Sequence, residues 1–303
     1  MHGWIIIDKP LGLGSTQAVS AVKRALRTGG YGKFKVGHGG TLDPLATGVL
    51  PIAVGEATKL AGRLLDGDKV YAFTIRFGEQ TDTLDREGQV IATSPVRPTR
   101  AAVAAVLPRF TGAIDQVPPA YSALKVDGER AYDLARAGET VELKSRAVTI
   151  HDLRVSSDDP AGDDELTLVA HVSKGTYIRS LARDIALALG TVGHVVMLRR
   201  IRAGPFGLEA AITLDKLAEL GQQRALEGIL LPLRAGLDDI PAFPLTPDQA
   251  GALRQGRVLA GIAATDGAAF AMLDDVPVAL VEVIAGEVRV VRGFNLTMSK
   301  EDT

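Results

Sequence analysis

The stretch from Gly37 to Pro51 places a single carboxylate, that of Asp43, in a loop that is both stiff and open. Its glycines permit positive φ angles and leave no side chains between the backbone and a ligand. Pro44 holds Asp43 in an extended conformation, because the proline ring disfavours the α region for the residue before it. No second acid follows within ten residues. This pattern favours a lone carboxylate acting as nucleophile or base over one half of an acid pair.

The loop also has an ordinary structural interpretation, and the composition excludes several kinds of catalytic and metal site. An Asp-Pro pair among glycines is also common in turns, where the aspartate caps its own turn. The 303 residues include no cysteine, which excludes thiol nucleophiles, disulfides and cysteine-based zinc sites. The five histidines lack the spacing of metal ligands, so no metal site is expected. A dinucleotide-binding loop is not expected either, because Leu42 stands where a third glycine is needed.

Hydrophobic periodicity predicts the elements that hold this loop. Ser15 can cap a helix that runs to about Arg27, with apolar residues on one face and basic residues on the other. Residues 70–77 and 166–172 alternate as strands. Residues 176–189 have the period of a helix, which Gly190 can end. Helices between strands of mixed length indicate an α/β or α+β sheet domain.

The rest of the chain indicates an insertion and a second, smaller unit. Residues 118–150 look like an insertion into the sheet domain. Prolines recur through residues 239–247, which predicts a linker, and residues 276–294 predict a β-hairpin that turns at Ala285-Gly286. Neither a membrane span nor a signal peptide is expected, because no apolar run is long enough for the first and the N-terminal one is too short for the second.

The full loop resembles the signature of one enzyme family. Residues 37–51 meet every specified position of the pattern Gly-His-x-Gly-x-Leu-Asp-Pro-x-Ala-x-Gly-x-Leu-Pro, which is typical of TruB-type pseudouridine synthases. Gly39 stands where many bacterial members carry Thr, and we expect this change to alter loop flexibility more than chemistry. Further family motifs are matched in order over residues 3–215: Asp8-Lys9-Pro10, Gly55-Glu56-Ala57-Thr58-Lys59, Asp68-Lys69-Val70-Tyr71, Thr81-Asp82-Thr83-Leu84-Asp85, Ser173-Lys174-Gly175-Thr176-Tyr177-Ile178-Arg179 and Leu198-Arg199-Arg200.

This resemblance implies an α+β fold with a mixed, largely antiparallel sheet. Residues 1–236 would form the pseudouridine synthase catalytic domain, and the insertion at about 118–150 would form a thumb that grips RNA. Residues 241–303 would form a small, β-rich PUA-like RNA-binding module. The last 68 residues carry ten acids against five bases, which argues for a supporting role of that module.

The implied reaction converts uridine at position 55 of the tRNA T-loop to pseudouridine. The bond from N1 to C1′ breaks, the base turns, and C5 joins C1′, so no cofactor is needed. Asp43 would be the nucleophile on a flipped-out uridine, with Arg179 keeping the carboxylate ionised and Tyr71 stacking on the uracil. The sequence leaves open whether the carboxylate attacks C6, attacks C1′, or stabilises a sugar-centred intermediate.

Some of these roles have ordinary structural alternatives. Tyr71 fits a core position on the strand face that it shares with Phe73, Arg179 fits a surface arginine, and His38 fits a turn histidine. The resemblance also assigns five residues to substrate binding: His38, Lys59, Asp85, Tyr177 and Leu198.

The implied partner is the T-arm stem-loop of tRNA, bound by a monomer in the cytoplasm. The net charge of −2 is unusual for an RNA-binding protein, but residues 1–40 carry six Lys and Arg against one acid, so a basic face is expected. These bases also suit the solvated C-terminal end of a helix. The rival function is a non-catalytic RNA-binding or tRNA-folding chaperone, which would use the same T-arm surface without the Asp43 carboxylate.

Overall fold

The computed structural model describes residues 1–122, 143–157, 162, 164–237 and 240–296, and the backbone of 125–126 and 129–130. About half of the predicted thumb, residues 123–124, 127–128 and 131–142, therefore lies outside the described residues. The α-helices are α1 (Ser15–Thr28), α2 (Ala61–Asp66), α3 (Arg100–Val106), α4 (Ile178–Ala188), α5 (Leu214–Gln223) and α6 (Pro247–Arg254). The 3-10 helices are Gly55–Lys59, Leu107–Phe110, Leu208–Ala210, Leu226–Ile229 and Leu233–Gly236. The strands are β1 (Gly3–Lys9), β2 (Val36–His38), β3 (Ala46–Val54), β4 (Lys69–Phe77), β5 (Glu79–Thr81), β6 (Val90–Thr93), β7 (Gly112–Gln116), β8 (Lys125–Val126), β9 (Glu129–Arg130), β10 (Arg146–Val155), β11 (Glu165–Val172), β12 (Gly193–Ala203), β13 (Phe206–Gly207), β14 (Leu231–Pro232), β15 (Ala242–Pro244), β16 (Gly267–Leu273), β17 (Val276–Ile284) and β18 (Glu287–Gly293).

One large sheet organises the chain. Within the described ranges it has ten strands, in the order β14-β1-β3-β12-β4-β11-β10-β7, with β2 also paired to β3 and β13 to β12. The β12–β3 pair is parallel, and the other pairs described in this sheet are antiparallel. The predicted mixed, largely antiparallel sheet is confirmed. The predicted strands 70–77 and 166–172 lie within β4 and β11, which pair with each other.

Apolar residues cover both faces of this sheet. On β1, Ile5 and Ile7 pack toward α1, whereas Trp4 and Ile6 pack on the opposite face. A strand that is buried on both faces appears in the sequence as a continuous apolar run, as Trp4 to Ile7 does. On β4, Phe73 and Ile75 pack against α4 in a third cluster.

The helix predicted from Ser15 is confirmed as α1, but its predicted cap is wrong. Gly14 occupies the N-cap position, and its N–H donates to Gln17 Oε1 at 2.7 Å. Ser15 is the first helical residue, and its hydroxyl donates to the carbonyl oxygen of Leu42 at 3.0 Å and accepts from the Leu42 N–H at 2.8 Å. Because Ser15 follows the N-cap position, its hydroxyl does not cap the helix and instead holds the backbone next to Asp43.

The second predicted helix is confirmed as α4. It begins two residues later and ends one residue earlier than the predicted range of 176–189. Tyr177 is extended at the N-cap position, and Gly190 follows the helix with a φ of 73°. Leu181 and Ile185, both fully buried, carry the face of α4 that packs on β4.

The C-terminal strands form a second sheet, in the order β15-β16-β17-β18. The hairpin at Ala285-Gly286 is confirmed, and both turn residues have positive φ angles, of 51° and 77°. The predicted linker over 239–247 is wrong for Ala242–Pro244, because these residues pair in parallel with β16. The limits proposed for the two domains, 1–236 and 241–303, stay a prediction.

The two sheets share a hydrophobic core. Phe270 and Phe294 of the C-terminal unit pack in the same cluster as Trp4, which is fully buried. Across the described ranges, no helix is long and apolar enough to span a bilayer.

Gly48 marks the closest approach of β3 and β12. Its φ is 100°, and a Cβ atom there would lie 2.1 Å from the carbonyl oxygen of Arg200. We expect Gly48→Ala to lower the free energy of unfolding by roughly 2 kcal/mol or more, because the backbone strain alone costs about 1–3 kcal/mol and the methyl group overlaps a carbonyl. Urea denaturation measures this difference.

Gly62→Ala is the matched control. Gly62 is exposed on α2, and a Cβ atom there meets nothing within 4 Å. We expect that variant to equal the wild type or to be more stable by up to about 1 kcal/mol, the helix propensity difference. A Gly48→Ala protein as stable as Gly62→Ala would show that β3 and β12 are not held at this approach.

Candidate active site

Asp43 lies in the loop between β2 and β3, and the buried guanidinium of Arg200 binds the backbone of that loop. Arg200 is 1% exposed. Its Nε donates to the Val49 carbonyl at 2.8 Å, Nη1 to the Thr41 carbonyl at 3.2 Å and Nη2 to the Gly40 carbonyl at 3.1 Å. Backbone carbonyls on both sides of Asp43 therefore satisfy this cation, and the loop is fixed without using its side chains.

A second buried cation also binds the backbone next to Asp43. Lys9, at the end of β1, is fully buried, and its Nζ donates to the carbonyls of Leu13 at 2.6 Å, Pro10 at 3.0 Å and Pro44 at 3.3 Å. Burial lowers the pKa of Lys9 to about 8, and the negative charge of Asp43 opposes this shift. At neutral pH the ammonium still predominates, so the residue after Asp43 is tethered by a charged donor.

Arg179 connects the Asp43 loop to three further carbonyl or carboxylate groups. Its Nη2 donates to Asp43 Oδ2 at 3.3 Å and to the Tyr121 carbonyl at 2.9 Å. Its Nη1 donates to Asp85 Oδ2 at 3.1 Å and to the Thr83 carbonyl at 2.8 Å. The Arg179 side chain is 10% exposed, whereas that of Asp43 is 54% exposed. The guanidinium is thus an interior anchor, and the carboxylate of Asp43 is its solvent-facing partner.

Asp85 is placed in this ion-pair network. Its Oδ1 accepts from Thr83 Oγ1 at 2.6 Å and from the Glu87 N–H at 3.1 Å, while Oδ2 faces Arg179. The side chain is 15% exposed. The geometry gives Asp85 a clear partner inside the protein, and its predicted contact with RNA stays a prediction.

A cavity of about 200 Å³ opens beside these groups. Asp43, Asp85 and Arg179 form part of its wall, and Leu198 with other apolar side chains of β12 forms another part. A larger cavity of about 580 Å³ lies near the 3-10 helix Leu107–Phe110 and has Arg154 as the charged residue in its lining. The lining of that cavity includes no carboxylate, whereas the smaller cavity contains Asp43, so the smaller one is the candidate site.

The predicted aromatic residues are partly buried near this region. Tyr71 on β4 packs at the junction of the α4 cluster and the α1 cluster, as Leu198 does. Its hydroxyl has no hydrogen-bond partner within the described part of the chain. Tyr177 donates its backbone N–H to Gln116 Oε1 at 2.7 Å, and the Arg146 guanidinium lies 5.8 Å from the centre of its ring. The structure therefore brings Leu198, Asp43, Asp85 and Arg179 together around one cavity.

His38 and Lys59 are placed differently. His38 is half-buried on β2, and its Nδ1 is buried with no partner among the described residues. Burial and the charge of Arg200 lower the pKa of His38, so its imidazole is neutral at pH 7. Lys59 donates to Glu56 Oε2 at 2.7 Å and to the Gly293 carbonyl at 2.8 Å. These contacts join the C-terminal unit to the large sheet and do not involve Asp43.

One group of side chains in the described ranges has the residue types of a metal site. His151 Nε2 and His171 Nε2 lie 3.2 and 3.6 Å from Asp68 Oδ2. Arg202 Nη2 lies 3.1 Å from His171 Nε2 and occupies the direction that a metal ion would need. Burial and the charge of Arg202 lower the pKa of His171. Among the described residues, this group shares no hydrogen bond or ion pair with the Arg179 network.

Sequence reasoning missed three parts of the site. Lys9 and Arg200 appeared only as motif residues, and Ser15 appeared as a helix cap. All three bind the backbone of the Asp43 loop. The signal available was the presence of Lys and Arg inside otherwise apolar strands, since a buried cation in a strand needs acceptors from another segment.

Comparison with known proteins decides the family. Residues 23–178 match the family model described as TruB family pseudouridylate synthase (N terminal domain), and residues 179–238 match the tRNA pseudouridylate synthase B C-terminal domain. The chain belongs to the TruB family of pseudouridylate synthases. This membership confirms the family and the enzyme class that the loop signature predicted.

Relatives and solved structures agree. The tRNA pseudouridine synthase B of Novosphingobium aromaticivorans is 68% identical over 98% of each chain, and that of Zymomonas mobilis is 61% identical over 97% of this chain and 96% of the relative. The crystal structure of a Cbf5-Nop10-Gar1 complex matches with a TM-score of 0.74 and 26% identity, over 96% of this chain and 84% of the other. An H/ACA RNP bound to a substrate RNA containing 2′-deoxyuridine matches with a TM-score of 0.73 and 25% identity, over the same shares of 96% and 84%.

The free hydroxyl of Tyr71 generates a prediction. We expect Tyr71→Phe to lower the single-turnover rate of pseudouridine formation by roughly 10²-fold or more, the usual scale for a positioned acid or base. The melting temperature should hardly change, because no described residue loses a hydrogen bond. Tyr31→Phe is the control: its hydroxyl accepts from the Leu226 N–H at 3.0 Å, so it should lose stability and keep its rate. A Tyr71→Phe enzyme as fast as the wild type would limit Tyr71 to stacking or packing.

Proposed function

We propose that this enzyme isomerises uridine 55 in the T-loop of tRNA to pseudouridine, with the carboxylate of Asp43 as the nucleophile. One observation carries the proposal: Asp43 presents an exposed carboxylate in a cavity, 3.3 Å from a buried guanidinium. The relatives at 68% and 61% identity bear the name tRNA pseudouridine synthase B, which supports tRNA as the substrate. The position within tRNA rests on the resemblance of the Asp43 loop to the family signature.

The free oxygen of Asp43 suits a nucleophile. Oδ2 accepts from Arg179, and Oδ1 has no hydrogen-bond partner among the described residues. A carboxylate with one oxygen held and the other open keeps a lone pair available in a fixed direction. Attack on C6, attack on C1′ and stabilisation of a sugar-centred intermediate all fit this one oxygen.

The size and lining of the cavity suit a single base. Its volume of about 200 Å³ is below the range of about 300–1,000 Å³ that holds drug-sized ligands. Apolar walls such as Leu198 and Val195 can replace the stacking that a base loses when it leaves the RNA. Asp43 would therefore act on a nucleotide that has flipped out of its loop, as the reaction on a base requires.

The proposed RNA partner is the T-arm stem-loop. Lys23, Arg24 and Arg27 are exposed on α1 and supply a basic surface despite the net charge of −2. Contacts from such residues to phosphates position an RNA by its shape and carry little sequence information. The PUA-like role of the C-terminal unit, the monomeric state and the cytoplasmic location belong to the same proposal.

A chaperone activity without chemistry would need the same surface but not the carboxylate. The buried network around Arg179 leads to Asp43, so the catalytic interpretation explains more of the site. The two activities can be separated by one isosteric change, because an amide keeps the shape of Asp43 and removes its charge.

We expect Asp43→Asn to abolish turnover and to keep RNA affinity within about tenfold, or about 1.4 kcal/mol. The assay is tritium release from a T-arm hairpin labelled at C5 of the target uridine, because C5 loses its hydrogen when it bonds to C1′. Asp115→Asn, which removes the same charge from an exposed position on β7, should release tritium normally. Release above a few percent of wild type in Asp43→Asn would remove Asp43 from the mechanism.

We also expect a T-arm hairpin with a seven-nucleotide loop to be sufficient as substrate and linear RNA of the same sequence to be poor. The reason is that backbone contacts from a fixed basic surface require a folded partner. Pseudouridine formation on both RNAs, and on a hairpin with cytidine at the target position as the blank, measures the preference. Equal rates on linear and folded RNA would contradict T-arm recognition by shape.

A further inference from the structure

We propose that Arg86 binds a backbone phosphate of the RNA at the mouth of the Asp43 cavity. This inference rests on the proposed function, because it assigns a contact to the same RNA substrate. Arg86 lies in the lining of the cavity together with Asp43, Asp85 and Arg179, which are the other charged groups of that lining.

Arg179 is not available to a phosphate. Both of its Nη atoms already donate twice, to two carbonyls and two carboxylates. A phosphate could bind Arg179 only by displacing Asp43 or Asp85, and its negative charge would then face the carboxylate that it displaced. The cation that holds Asp43 is therefore a poor anion receptor.

Arg86, unlike Arg179, is available to a ligand. It is exposed, and its guanidinium has no hydrogen-bond or ion-pair partner within the described part of the chain. A free guanidinium offers a planar fork of donors that matches two phosphate oxygens.

The backbone around Arg86 is fixed even though its side chain is free. Thr81 Oγ1 donates to the Asp85 carbonyl at 2.6 Å, and Asp85 Oδ1 accepts from the Glu87 N–H at 3.1 Å. Gly88 lets this turn close, since a Cβ atom there would lie 2.3 Å from Asp82 Oδ1. The turn that supplies Asp85 to Arg179 thus also holds Arg86 at the cavity.

Charge balance favours a phosphate as the ligand of Arg86. Asp43 and Asp85 carry two negative charges, and Arg179 compensates one of them. Without Arg86 the cavity would present a net negative charge to a polyanion, which weakens its approach. A flipped nucleotide brings the phosphates on its two sides to the mouth of the pocket that receives its base. A cation at that mouth can bind one of them while the base reaches Asp43.

The first experiment measures binding of a T-arm hairpin in the Asp43→Asn background, which prevents turnover. We expect Arg86→Gln to raise Kd about five- to tenfold and to reduce the slope of log Kd against log salt concentration by roughly 0.7–0.9, the value for one phosphate contact. Arg86→Lys should keep the wild-type slope. Arg109→Gln is the matched control, because Arg109 is exposed, has no partner among the described residues and is absent from the cavity lining.

The second experiment locates the phosphate. A neutral methylphosphonate replaces the linkage on the 5′ side or the 3′ side of the target uridine. One of these hairpins should bind the protein that retains Arg86 less tightly than unmodified RNA does. The same hairpin should bind the Arg86→Gln protein as tightly as unmodified RNA does. Equal penalties in both proteins at both positions, or a salt slope in Arg86→Gln equal to that of Arg109→Gln, would overturn the assignment.

Turnover separates this inference from the proposed function. With Asp43 intact, Arg86→Gln should lose activity through weaker RNA binding, with KM raised about five- to tenfold and the single-turnover rate at saturating RNA lowered by less than about threefold. A large loss of that rate would contradict a role limited to phosphate binding. A wild-type protein that fails to convert the hairpin would instead contradict the proposed function.

Discussion

The shared guanidinium of Arg179 is the interaction on which the site depends. It brings the Asp43 loop, the turn at Thr83 and Asp85, and the Tyr121 backbone to one point on α4. Removing a partner from a buried charge is costly, by about 3–5 kcal/mol in measured cases, so each segment stabilises the position of the others. Since Arg179 lies on α4 and α4 packs on β4, the position of Asp43 depends on the packing of that helix as well as on its own loop.

Two other buried cations that bind the Asp43 loop are stabilised without carboxylates. Lys9 and Arg200 are both fully buried, and the acceptors described for them are backbone carbonyls. Carbonyl acceptors stabilise a cation while adding no negative charge. Burial lowers the pKa of Lys9 and the negative charge of Asp43 raises it, so this buried cation interacts with the exposed carboxylate.

Much of this arrangement could be predicted from the sequence, because local rules control it. The Asp-Pro pair and the glycines marked the Asp43 loop, and periodicities of 2 and 3.6 marked β4, β11, α1 and α4. The bonds of Ser15, Lys9 and Arg200 could not be predicted, since they depend on the parallel register of β12 with β3 and on which backbone lies across from each side chain. Ala242–Pro244 looked like linker because three residues are too few for a period to show.

Strand β1 contributes both to the hydrophobic core shared with the C-terminal sheet and to the support of the Asp43 loop. Trp4 packs in the same hydrophobic cluster as Phe270 and Phe294 of the C-terminal sheet, and Lys9 on the same strand holds the backbone beside Asp43. Lys9 lies five positions after Trp4, which is about 17 Å along the strand. Loss of the C-terminal sheet would remove apolar neighbours from a cluster built on the same strand that holds the backbone beside Asp43. We therefore expect the small sheet to stabilise the Asp43 loop as well as its own fold.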